Sequence, residues 1–265
     1  MLHAHRLDYR SLASGGRAVT RWWDGRKFFG DIIGEARGLA QASHIYVNNK
    51  ETGVELGLLT YAYVRSVALH LRREDDSVYR QAFRSILTPH EMEQLLLSPH
   101  KPHHVAQLLT STLTESFERG EIKGIRALVA AHDCVQRLNK HFEDVERIAT
   151  TAEPWSYQKH LRITTLLWLG ILPLALLPSL QLATPIMAPA VGYVLLKMDD
   201  VSIEVQNPFG MDKSDLDICI LTDRFQTTLE AQLLTYVRRG LPPDEIVPQK
   251  VIDEKVDKNG LTHSF

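Results

Sequence analysis

The chain has 265 residues, with 30 lysines and arginines against 32 aspartates and glutamates, a formal net charge of −2. That length allows one or two domains with a full core, and basic residues dispersed along the chain rather than massed on one face set aside a nucleic-acid partner. Two cysteines, Cys134 and Cys219, lie in apolar-periodic segments and suit buried thiols in a reducing compartment better than a disulfide framework.

Residues 1–17 contain no apolar core of the length a signal peptide needs. After Gly15-Gly16 a helix is expected, with Trp22, Phe29, Ile33, Ala36 and Ala40 on one face. It carries Trp22-Trp23 flanked by Arg21, Arg26 and Lys27, which suits a membrane–water boundary and equally a core aromatic pair with solvated charges. Asn48-Asn49 and Gly53 punctuate the chain. Glu55 to Arg73 then reads as a helix with Leu59, Tyr63, Val67 and Leu71 in register, closed by Arg72 and Arg73.

Thr88-Pro89-His90-Glu91 is a capping box that opens a short helix through Leu97, ending before Pro99 and Pro102. Val105 to Phe117 is amphipathic and stops at Glu118-Arg119-Gly120. Leu128, Ala131, Val135, Leu138, Phe142 and Val145 alternate by three and four along a further helix, a seam for a helix of the same chain or of another subunit.

Ile163 to Leu196 contains no charged residue. A bilayer core takes about 20 apolar residues per helical span, and Ile163 to Leu182 supplies one; Ala183 to Leu196 is shorter than that. Pro173, Pro178, Pro185 and Pro189 are expected to break any single long helix, which gives two kinked, packed membrane segments. The competing reading is a buried hairpin in a soluble helical protein.

Met198 to Ile218 is acidic and turn-forming at Pro208 and Gly210. A last helix follows with Leu221, Phe225, Leu229, Leu233 and Val237 on one face, capped by Arg238-Arg239-Gly240 and stopped by Pro242-Pro243. Residues 241–265 read as a polar, mostly extended or disordered tail.

Catalytic apparatus is not visible. His90, His100, His103 and His104 lack zinc-site spacing, because Gln94 stands where the second histidine of HExxH belongs; glycine-rich phosphate loops, GxSxG and CxxC are absent. One oxygen-rich group stands out: Asn207, Asp212, Asp215 and Asp217 around Pro208-Phe209-Gly210. Carboxylates and carbonyls on a tight turn suit a hard cation such as calcium, and Asp212 or Asp215 equally suits the cap of a helix starting near Leu216.

These residues resemble the bestrophin family of anion channels, bacterial and fungal members included. The matching blocks are Arg21-Trp22-Trp23-Asp24-Gly25-Arg26-Lys27 with Gly30, Leu69 to Arg72, Glu146-Arg147-Ile148, Pro154 with Tyr157 and His160, and Leu172 to Leu176. The most specific is Asn207-Pro208-Phe209-Gly210 with Asp212, Asp215 and Leu216. The resemblance runs from about Arg17 to Gly240. It implies a mostly helical homopentamer around a central anion pore, with four membrane helices above a large cytosolic helical part.

It also implies a calcium clasp at Asn207, Asp212 and Asp215, although Glu204 replaces the glutamine of the animal clasp and Lys213-Ser214 its acidic run. Family members carry two apolar segments before the RWW block, the second lining the pore neck, where only a polar stretch precedes Arg21 here. The chain is therefore expected to be truncated, to bind membranes and to carry little chloride current.

The resulting expectation is an all-α, multi-pass membrane protein of bestrophin type. One channel domain covers 1–240, with membrane segments near 163–196 and cytosolic helices at 54–148 and 215–239. By the resemblance it is a passive anion channel subunit whose intact relatives pass chloride and other monovalent anions without catalysis, its own pore being incomplete, with no required cofactor, with calcium as the one candidate ion and with lipid as partner. Arg21, Arg26 and Arg162 are its membrane-boundary candidates. The alternatives are a non-conducting membrane scaffold and a soluble helical enzyme.

Overall fold

The computed structural model describes residues 4–238, with side chains for residues 18–236. The tail at 241–265 and the stop at Arg239-Gly240 and Pro242-Pro243 lie outside the described residues. These form α1 (Ala4–Tyr46), α2 (Lys50–Leu71), α3 (Asp76–Phe83), α4 (Pro89–Leu97), α5 (Lys101–Glu118), α6 (Ile125–Thr150), α7 (Trp155–Leu180), α8 (Thr184–Glu204) and α9 (Ile218–Arg238). Among the described residues the sole extended pairing is an isolated antiparallel bridge between Val47 and Ile122. Two compact units result, one from residues up to 27 with 146–216, the other from 28–145 with 217 onward.

The second unit is built around α2. Leu56, Leu59, Tyr63, Val64, Val67 and Leu71 are all buried, along with residues between them, so this helix is covered on most of its circumference rather than on one stripe. Helices α3, α5 and α9 pack against it. Gly53, read from sequence as punctuation, lies inside α2; a Cβ there would fall 2.9 Å from the Tyr236 hydroxyl oxygen, and one at Gly57 would fall 3.2 Å from Leu233 Cδ2. These glycines let α9 approach. Tyr63, fully buried, donates its hydroxyl to Asn139 Oδ1 at 3.2 Å, so its one polar atom is satisfied.

Three helix starts, those of α2, α4 and α5, have a local cause. Asn49 accepts the Glu51 amide at 3.0 Å and opens α2 five residues before the expected Glu55. The Thr88–Glu91 capping box forms as read, with Pro89 in the first turn. Pro102 lies in the first turn of α5 rather than before it, where a missing N–H costs nothing. Gly120, at φ 74°, ends α5 as expected. Glu121 then accepts from Thr52, Asn49 and Arg119 and fixes the α5–α6 connection to the start of α2.

Helix α1 runs without interruption through Gly15-Gly16, earlier than the sequence pattern starts, and buries Phe29, Ile33, Ala36 and Ala40. Helix α3 has no counterpart in the sequence reading. It spans eight residues and buries only Tyr79 and Phe83, too few to show a period. The α6 seam from Leu128 to Val145 is buried within the chain, which settles it as intramolecular packing.

Candidate functional site

The first unit holds the residues that the sequence singles out. Helices α7 and α8 form an antiparallel hairpin: Leu169 Cδ2 lies 3.6 Å from where a Gly192 Cβ would be, and Arg162 Nε lies 4.0 Å from Asp199 Oδ2 nearer the base. The break between them is the 3-10 turn Gln181–Ala183, entered by Gln181 at φ 42°. The prolines do not make it. Pro173 and Pro178 sit inside α7, Pro189 inside α8, and Pro185 in the first turn of α8, where proline is compatible with a helix. The second segment is accordingly longer than Ala183 to Leu196, because α8 continues through Met198 to Glu204, with the turn at Pro208 and Gly210 following it.

No residue of α7 is buried. Leu167 is 64% exposed, Leu174 71%, Leu182 94% and Ile186 74%. That excludes a hairpin buried in a soluble core, since an apolar surface of this extent is stable only against lipid or another protein. Two hydroxyls near the hairpin base need no water: Thr164 and Thr165 donate to the His160 and Leu161 carbonyls at 2.8 and 3.0 Å. The polar groups gather at the base, where Lys159 lies over the Trp155 ring at 4.7 Å, Gln158 donates to Gln206 and Lys197 pairs with Asp200.

Below the hairpin base the Asn207-Pro208-Phe209-Gly210 turn folds on itself. Asn207 Oδ1 accepts the Phe209 amide at 3.4 Å, Asp215 Oδ2 accepts the Asp212 amide at 2.8 Å, and the Leu216 amide reaches the Pro208 carbonyl at 2.8 Å. The turn thus brings Asn207, Asp212 and Asp215 into one loop, with Asp212 exposed. Neither Asp212 nor Asp215 caps the next helix. Asp217 does so, accepting the Ile220 amide at 3.1 Å, and α9 starts at Ile218 rather than near Leu216.

The RWW block grips this turn. Trp22 donates its indole N–H to the Ser214 carbonyl at 2.9 Å, and the Ser214 hydroxyl donates to Glu204 Oε1 at 2.7 Å, so one residue is held from α1 and from α8. The Trp pair is therefore not a core pair: the rings meet edge to face at 5.2 Å, and Trp23 is 61% exposed. Gly25 lies under Phe209, where a Cβ would fall 2.9 Å from the ring. Arg21 donates to the Ile148, Thr151 and Gln206 carbonyls, so it ties helix ends together.

Sequence reasoning found the turn and missed these ties, because backbone carbonyls leave no mark in a residue pattern. Of the four histidines, His90 meets Gln94 at 3.0 Å, while His100 and His103 stack edge to face with each other. His103 also packs on Phe142.

The described residues are all-helical apart from one isolated bridge, and the apolar, uncovered hairpin has the length and composition of a membrane-crossing segment. The family description "Bacterial/Fungal Bestrophin protein" matches residues 16–231, and the chain belongs to that family. Its curated relatives include a voltage-dependent anion channel-forming protein of Nostoc, 23% identical over 80% of this chain and 70% of that protein. Another is YneE of Escherichia coli K12, also named a voltage-dependent anion channel-forming protein, 22% identical over 92% of this chain and 76% of the relative.

A crystal structure of a bacterial Bestrophin homolog from Klebsiella pneumoniae superposes with a TM-score of 0.79 at 20% identity, covering 88% of this chain and 85% of that one. That likeness fixes the fold. Family membership sets aside the soluble-enzyme reading.

Proposed function

We propose that the chain is a subunit of a passive anion channel that conducts chloride and other monovalent anions, assembled as a homopentamer in a lipid bilayer. In this reading α7 and α8 each cross the membrane, so the protein is multi-pass, and the helices of the second unit lie on the cytosolic side. The observation that carries it is the uncovered apolar hairpin in a chain of the bestrophin family. Relatives named as anion channel-forming proteins support the choice of cargo. Passive selection would follow from helix N-termini and cationic side chains near the pathway, with an apolar constriction that closes by dewetting.

Halide flux into liposomes is the test. Anion-selective chloride or iodide flux that scales with protein content supports the reading, and membrane retention without flux replaces it with a non-conducting membrane scaffold.

Calcium at Asn207, Asp212 and Asp215 is part of the same proposal. The donor types are right for a hard cation, but Asp215 Oδ2 and Asn207 Oδ1 already accept backbone amides, so an ion would share those oxygens. Calcium titration followed by thermal melting decides it: a rise in melting temperature that is lost in Asp212→Ala supports an ion there, and no rise removes calcium from the reading.

A further inference from the structure

His70 lies in the last turn of α2 and His100 stands at the N-cap of α5, yet the fold of the second unit sets their rings side by side with centroids 5.8 Å apart. A ring nitrogen of one lies within 4.8 Å of a ring nitrogen of the other. His103, in the first turn of α5, adds a third ring 5.9 Å from that of His100. Two imidazoles on one tetrahedral ion hold their centroids about 5 Å apart, since each nitrogen stands about 2.0–2.1 Å from the metal. These rings therefore close on an ion with small side-chain movements.

Their orientation is held from behind. Phe142 of α6 is fully buried and packs edge to face with His70 at 5.6 Å and with His103 at 5.2 Å. Solvent still reaches the cluster, because His100 is exposed and His70 and His103 are half-buried. Nearby cations are engaged by other groups: Lys101 pairs with Asp76 at 3.2 Å, and Arg72 lies 3.6 Å from Asp217 and donates to Cys219 at 3.0 Å. Neither charge stands uncompensated against an incoming ion.

Imidazole nitrogens suit zinc and its neighbours in the first transition row, whereas calcium and magnesium take oxygen. We propose that His70, His100 and His103 hold a zinc ion or a close chemical relative, with water completing its shell. The ion fastens the end of α2 to the start of α5. It uses none of the residues considered for calcium. Local spacing in the sequence misses this group, because His70 comes from a different helix and only the packing of α2 on α5 brings it to the other two.

Calorimetric titration of zinc chloride into the full chain, purified in detergent without an oligohistidine tag, tests it. One saturable zinc per chain is expected, with a rise in melting temperature as the ion binds the folded state. His70→Gln, His100→Gln and His103→Gln should each weaken binding by about tenfold or more. The zinc-free melt of His100→Gln should match the parent, since that ring is exposed. His90→Gln, whose ring meets Gln94 within α4, should bind zinc like the parent. Absence of saturable binding, or parental affinity in any of the first three variants, overturns the proposal. No flux enters the measurement, so its failure is distinguishable from failure of the channel reading.

Discussion

Gly25 and Phe209 touch so closely that a Cβ on the glycine would lie 2.9 Å from the ring's Cζ and 3.0 Å from Pro208 Cγ. Phe209 is fully buried, so neither ring has room to retreat. Gly25→Val should therefore cost about 1–3 kcal/mol through overpacking, and Phe209→Ala about 3–5 kcal/mol through the cavity it leaves. Thermal melts in detergent check both, and a Gly25→Val protein as stable as the parent would show that the turn does not rest on α1.

Arg21 distinguishes a structural tie from a pore cation. Its Nη2 donates to two carbonyls at 2.8 Å and its Nε to a third at 3.3 Å, a fork that lysine cannot reproduce. Arg21→Lys, which keeps the charge, should lose about 1.5–3 kcal/mol of stability, close to the loss in Arg21→Gln. If Arg21→Lys melts like the parent while Arg21→Gln alone loses flux, the charge is what matters.

Leu174 lies exposed near the middle of the apolar stretch from Ile163 to Leu182. In a bilayer, Leu174→Lys places a charge at a cost of about 2.5–3.5 kcal/mol, and on a water-exposed helix the same change is nearly neutral. Reduced resistance to carbonate extraction is expected. Unchanged fractionation would mean that this face does not meet lipid.

Asp215 holds the turn by accepting the Asp212 amide, whereas the Asp212 side chain is exposed. Asp215→Ala should therefore lower stability by about 1–2 kcal/mol, and Asp212→Ala should change it far less in calcium-free buffer. Equal losses would place both carboxylates in the same structural role.

Cys134 donates its thiol to the Glu35 carbonyl and carboxylate, both at 3.3 Å. Burial first, then the bond to Glu35, push the thiol up to about 12 from an ordinary 9.0. Because the folded value is the higher one, its contribution to stability is complete below pH 9 and is lost between pH 9 and 12, where the unfolded chain releases the proton first. At pH 8 iodoacetamide should label Cys134 only after denaturant is added. Rapid labelling of the native protein would contradict the buried, protonated thiol.

The amino-acid order by itself determined that this is a helical membrane protein with an Asn-Pro-Phe-Gly turn. Helical periodicity, a long uncharged stretch and a capping box are local signals, each set by residues within a few turns of one another. Hence Leu59, Tyr63, Val67 and Leu71 are buried as their spacing implies, and Thr88 caps α4. Tertiary structure decided what the local signals left open. Gly53 looks like a breaker until Tyr236 is packed against it, and the hairpin turns at Gln181–Ala183 rather than at a proline because α8 must fold back along α7.

Asp217 rather than Asp215 became the helix cap once Asp215 was committed to the Asp212 amide. Arg21, a boundary cation by composition, is engaged by carbonyls as far as 185 positions away. Contacts between distant backbone groups and side chains follow from how the helices pack, and packing depends on the whole chain rather than on any window of it.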